Sequence, residues 1–171
     1  SEILEQLFTY MKVQNETYEL PLEEVNINRL IYNSMFSFYE NFRRKGIEPK
    51  IQIPEEPYYI LLNQNAFTRI MQNMIKNVLE HGTDEFELTV IEEEKTVTIT
   101  CKNEYASEEL LQIEQIFERF YKADEARKHS STGLGLAIVK SLVVRMGGTI
   151  RAYKGENGKK NQLCIEVVFK R

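Results

Sequence analysis

Gly133 and Gly135 lie in the run Ser130-Ser-Thr-Gly-Leu-Gly-Leu-Ala-Ile-Val-Lys140, where a polar loop enters an apolar helical pattern. A glycine has no side chain, so a ligand can approach its backbone closely. The unpaired N–H groups of a first helical turn, together with the helix dipole, favour an anion at such a junction. Phosphate binding is the chemistry this junction would do. A Gly-x-Gly at a helix start is equally at home as a cap or a tight packing site, so its neighbours have to decide.

Upstream, residues 66–79 place Phe67, Ile70, Met71, Met74, Ile75 and Val78 at helical spacing, which predicts one buried stripe. Arg69, Asn73 and Asn77 recur every four residues and stack along the opposite stripe. Asparagine is a mediocre helix former, so two at this spacing need a reason. The stripe is either a solvated polar face or a pair of carboxamides whose oxygens are hard, neutral ligands for a phosphate-bound magnesium ion. Between the two segments, Ile116-Phe-Glu-Arg-Phe-Tyr-Lys122 reads as an amphipathic turn of helix ending in cations and aromatics.

In this order and at these separations, the three segments resemble the asparagine, phenylalanine and second glycine boxes of the ATP-binding catalytic domain of bacterial sensor histidine kinases. The resemblance covers roughly residues 15–171 and extends to Met146-Gly-Gly-Thr-Ile150. It implies ATP and Mg2+ as cofactors, with Asn77 as the magnesium ligand and Asn73 lining the same phosphate region. Asn73, Asn77 and Lys122 would be the catalytic residues. Arg119 and Lys122 would contact the phosphates, Lys122 at the γ position, with Tyr121 beside them and Lys76 and Arg127 as further cations. Thr132 would border the phosphates, and Gly133, Leu134, Gly135 and Leu136 would offer backbone donors. Hydrolytic relatives such as gyrase and MutL place a catalytic glutamate at position 73. Asparagine there cannot take a proton from water, which favours phosphoryl transfer to a partner. That partner would be a histidine on a dimerisation domain absent from this chain, with a response regulator as the next acceptor.

One segment departs from the family. Where Asp-x-Gly-x-Gly is usual, this chain has Lys102-Asn-Glu-Tyr-Ala-Ser107, and no glycine occurs from Thr83 to Thr132. Asn103 matches the aspartate that accepts the adenine amino group. Its amide accepts without charge assistance and can turn either way, which predicts weaker adenine binding and relaxed rejection of guanine. The same departure supports the alternative, a degenerate nucleotide-binding or protein-interaction module with weak or no kinase activity.

The chain's 171 residues are 42% hydrophobic and 28% charged, enough for one well-covered core. A net charge of −4 argues against nucleic acid or an anionic membrane as principal partner. Cys101 and Cys164 sit in strand-like runs and read as buried thiols of a reducing, cytoplasmic compartment. No membrane-spanning run is present, so a membrane would be reached only through segments missing here. His81 and His129 are the only histidines, and neither has a phosphoacceptor setting.

These residues need elements to hold them. Ser1 to Val13 aligns Ile3, Leu4, Leu7 and Met11, and by resemblance residues 1–14 end the preceding dimerisation helix, with the catalytic domain at 15–171. Residues 18–25 alternate like an edge strand, and Asn26 can cap a helix running to Gly46. Further strands are predicted at 50–54, 58–62, 86–90, 96–101, 148–153 and 163–169. The pattern predicts an α/β (α+β) sandwich, a mixed and mostly antiparallel sheet covered on one face by three helices. The polar run 122–132 reads as a mobile ATP lid.

Overall fold

The computed structural model describes residues 2–105, 112–121, 133–155 and 162–171. Helix α1 (Glu2–Gln14) precedes strand β1 (Glu23–Asn26), helices α2 (Ile27–Ser37) and α3 (Tyr39–Lys45), and strands β2 (Glu48–Gln52) and β3 (Tyr59–Leu62). Helix α4 (Gln64–His81) leads into the hairpin β4 (Gly82–Glu92) and β5 (Thr96–Tyr105), then a 3-10 turn at Ile113–Gln115. Helix α5 (Gly135–Arg145) and strands β6 (Thr149–Lys154) and β7 (Gln162–Lys170) complete the chain.

The main sheet has the order β2-β4-β5-β7-β6, antiparallel throughout except for the parallel edge pair β2 and β4. Strands β1 and β3 pair apart from it. Along β5 the pleat sends Val97, Ile99, Cys101, Asn103 and Tyr105 to the buried face, while Thr96, Thr98, Thr100, Lys102 and Glu104 take the other. Against the buried face Phe67 of α4 meets Phe169 of β7 edge to face at 6.2 Å, and Phe42 of α3 stacks on Phe86 of β4 at 5.5 Å. The expected mixed sandwich is what forms. Burial pushes the Cys101 thiol up to about 12.

Four local expectations are corrected. The helix expected from Asn26 to Gly46 breaks at Phe38, because the Ser34 and Ser37 hydroxyls bond the carbonyls of Leu30 and Ser34 and loosen the ladder. The strand expected at 18–25 pairs only from Glu23, since Asn15 folds the preceding chain into a turn and Pro21 has no N–H for a ladder. The expected helical turn at 116–122 is irregular through Tyr121, with Phe120 at φ 61°. Helix α1 turns inward with Leu7, Tyr10 and Val13, leaving Ile3, Leu4 and Met11 exposed.

Its end is held by Arg145 of α5, which donates to the carbonyls of Val13 (3.2 Å), Asn15 (3.0 Å) and Tyr18. A cation is well placed at a helix C-terminus. Gln14 adds a bond from Nε2 to Ser141 Oγ at 2.6 Å.

Candidate nucleotide site

Helix α4 begins at Asn63, whose side chain accepts the N–H of Ala66 at 3.0 Å. The apolar stripe read from the sequence is buried, but the polar stripe is not uniform. Arg69 is exposed, Asn77 half-buried, and Asn73 only 5% exposed. Asn73 therefore belongs to the seam where α4 packs against α5, and its Nδ2 donates to the carbonyl oxygen of Gly135 at 3.2 Å. A buried amide must find such a partner. This bond ties the asparagine helix to the first residue of α5, so two of the three sequence segments meet directly.

The third segment joins through Phe120. Its N–H donates to the carbonyl of Gly133 at 2.9 Å, and a Cβ on Gly133 would stand 2.8 Å from the Phe120 Cα. With φ at +73°, Gly133 is a glycine for two reasons, conformation and close approach. Gly135 differs. Among the described residues, no heavy atom beyond its chain neighbours and the backbone of its own helix lies within 4 Å of a Cβ built there, and Leu134 at the N-cap has no side-chain cap hydrogen bond. Among the described residues, the first turn of α5 thus has room beside Gly135 for a phosphate at its backbone N–H groups. Asn77, one turn beyond Asn73, stands on the helix facing this turn, and its neutral oxygen suits a magnesium ion shared with phosphates.

Asn103 is 3% exposed on the helix-covered face of β5, in register with Phe86 and Leu163. Its Nδ2 donates to the carbonyl of Glu104 at 3.0 Å, so the amide presents its oxygen as the acceptor end. The freely turning amide of the sequence reading is corrected by this bond. Arg119, expected at the phosphates, instead holds its guanidinium 5.8 Å from the centroid of the Tyr10 ring. Tyr121 is half-buried and its hydroxyl oxygen accepts the N–H of Gln112 at 2.8 Å. Leu134 and Leu136 are buried anchors of the loop. Lys122, Arg127, His129 and Thr132, and with them the expected lid, lie outside the described residues.

Two contributors escaped the sequence reading. Phe120 carries no signal that it will adopt a left-handed backbone, and Arg145 reads as an ordinary last-turn cation.

An α/β sandwich with a glycine-bearing helix start, an asparagine helix bonded to it and an amide on the central strand defines a nucleotide-binding ATPase fold. The chain belongs to the histidine kinase-, DNA gyrase B- and HSP90-like ATPase family, whose model matches residues 62–170. Among curated relatives, the sensor histidine kinase YcbM of Bacillus subtilis (strain 168) is 29% identical over 153 residues, covering 87% of this chain and 49% of that protein. The chain thus spans about half the length of that relative. Among solved structures, the histidine kinase AdeS of Acinetobacter baumannii superposes with a TM-score of 0.77 at 17% identity, over 98% of this chain and 76% of that one. Full-length ShkA in complex with AMPPNP gives 0.76 at 21% identity, over 98% and 35%.

Proposed function

We propose that the chain is the catalytic domain of a sensor histidine kinase, binding ATP with Mg2+ between α4, β5 and the loop 133–136. The bond from Asn73 to Gly135 carries this reading, because it sets the asparagine helix and the phosphate loop in one frame. The donor set fits the ligand. Backbone N–H groups of the loop hold phosphate oxygens, Asn77 would hold the magnesium ion, and the Asn103 oxygen accepts from the adenine amino group. Bound magnesium would offset phosphate charge. The family likeness to YcbM and the AMPPNP held by ShkA support nucleotide as the ligand.

Transfer rather than hydrolysis follows from position 73. An amide there cannot take a proton from water, and its nitrogen is already committed to Gly135. An imidazole nitrogen of a dimerisation domain forms the new bond to the γ-phosphorus, the bond to the β–γ bridging oxygen breaks, and ADP leaves with the electron pair. A response regulator then receives the phosphoryl group. Helix α1 is docked on α5 through Arg145. A cytoplasmic location is the compartment that supplies ATP and keeps Cys101 and Cys164 reduced. Among the described residues no helix is long and apolar enough to cross a membrane.

Calorimetric titration with a non-hydrolysable ATP analogue, with and without magnesium, tests the reading. The unsubstituted chain should bind in a magnesium-dependent way, while Asn77→Ala loses that dependence and keeps its melting temperature without ligand. No binding at all would favour the degenerate module that the Asn103 replacement suggests. With γ-labelled ATP the chain alone should retain no acid-labile label until a dimerisation domain is added.

A further inference from the structure

Three successive carbonyl oxygens at the start of α5 are each held by a hydrogen-bond donor. The N–H of Phe120 donates to that of Gly133 at 2.9 Å, the N–H of Ile138 to that of Leu134 at 2.9 Å, and Nδ2 of Asn73 to that of Gly135 at 3.2 Å. A planar trans peptide sets its N–H opposite its C=O, so holding these oxygens fixes the planes of the three peptides on which a phosphate would rest. Two of the donors are ordinary, a helical N–H and a side-chain amide. The third depends on Phe120, whose φ of 61° makes it the only non-glycine residue with a left-handed backbone among the described residues.

That conformation costs an L-residue free energy and persists only where the surroundings hold it. Burial of the ring does not hold it, since Phe120 is 55% exposed. What the conformation gains is the bond to Gly133, itself at φ +73° with no room for a Cβ against Phe120. We infer that Phe120 is a positioning residue for the phosphate loop: its left-handed backbone sets the first peptide plane of the loop, and nucleotide affinity follows how readily residue 120 adopts it. The inference rests on the nucleotide reading above. Phe120 acts through the Gly133 carbonyl and not through its ring. When only a fraction of molecules holds the bond, apparent affinity falls by that fraction. Asparagine enters the left-handed region readily, leucine pays much as phenylalanine does, and β-branched valine pays most.

A substitution series at one position decides it. Magnesium-dependent binding of AMPPNP and the melting temperature without ligand are measured for the unsubstituted chain, Phe120→Leu, Phe120→Asn and Phe120→Val. All three substitutions remove the ring, and an exposed side chain leaves no core cavity behind. Phe120→Leu should bind within about twofold of the unsubstituted chain, Phe120→Asn about two- to fivefold tighter, and Phe120→Val about two- to tenfold weaker. A residue that served stability alone would move the melting temperature and leave affinity unchanged, so unchanged affinity across the series overturns the inference. Equal weakening by all three does the same, because the ring itself would then meet the ligand. Should Phe120→Val fail to fold, Phe120→Asn against Phe120→Leu carries the same test, and binding no tighter with asparagine overturns the inference. Absence of binding by the unsubstituted chain would instead overturn the function and the inference together.

Discussion

The amide nitrogen of Asn73 on α4 donates to the carbonyl oxygen of Gly135, the first residue of α5, at 3.2 Å. One residue thereby registers the helix that carries Asn77 against the loop that carries the phosphate donors. Aspartate at 73 is nearly the same shape but can only accept, so a carboxylate would face a carbonyl across the seam. Asn73→Asp should cost about 1–3 kcal/mol and lower the melting temperature by several degrees at neutral pH. Asn73→Ala, which loses the bond without adding repulsion, should cost less. Equal melting temperatures for Asn73→Asp and the unsubstituted chain would show that this bond does not hold the seam.

The two glycines of the loop should separate cleanly. Alanine at 133 would meet the backbone of Phe120 at 2.8 Å with φ at +73°, and neither obstacle can move aside. Gly133→Ala should lower stability by about 1–3 kcal/mol, read as a fall in thermal midpoint. Alanine at 135 meets no described residue and takes a helical position, so stability should stay within about 0.5 kcal/mol. Nucleotide affinity should nevertheless drop, since the new methyl group occupies the room left for phosphate. A Gly135→Ala variant that binds normally would move the ligand elsewhere.

How much of this was legible depended on whether the information is local. The stripe of Phe67, Ile70, Met71, Met74 and Val78 named the buried face of α4, and Asn26 and Gly46 marked real helix ends, because periodicity and caps are written in neighbouring residues. The polar start of β4, Thr83-Asp-Glu, hid that strand's length, since its pairing with β5 is a long-range event with a register shift after Gly82. Placing Asn73 on the polar stripe was half right. It shares that side of the helix with Arg69, but the arrival of α5 buries it, and nothing within α4 announces α5. The same holds for Arg119, whose partner lies on α1.

Cys101 supplies a pH test of the core. Its thiol, on the covered face of β5, is pushed by burial from 9.0 to about 12. Below pH 9 the thiol is protonated in both folded and unfolded chains and contributes no pH dependence. Between pH 9 and about 12 the unfolded chain ionises while the folded chain does not, so stability is lost as pH rises through that window. Denaturant midpoints from pH 8 to 11 should fall more steeply for the unsubstituted chain than for Cys101→Ala, and thiol reagents should reach Cys101 only on unfolding. Parallel slopes for the two proteins would place Cys101 in contact with solvent.

The structure changes what to expect of Asn103, the residue on the covered face of β5 where the sequence carries no aspartate. Because Nδ2 is engaged by the Glu104 carbonyl at 3.0 Å, the oxygen is the end available to a base. Adenine offers a donor at its exocyclic nitrogen, whereas guanine offers an acceptor there. The unsubstituted chain should therefore prefer ATP to GTP. Asn103→Leu, with the same branching but no acceptor and no donor to Glu104, should weaken ATP by about 0.5–1.5 kcal/mol, roughly two- to tenfold, and leave GTP nearly unchanged, so the ratio collapses. Asn103→Asp keeps the acceptor and adds charge, but loses the donor to Glu104 and sets a carboxylate against its carbonyl. That variant should melt lower and leave the ATP-to-GTP ratio within about twofold, because the acceptor was already presented. Competition binding of both nucleotides to the three proteins decides between the readings. A ratio much sharpened by aspartate would mean that the amide turns freely in solution, and one untouched by leucine would mean that the purine is read by other groups.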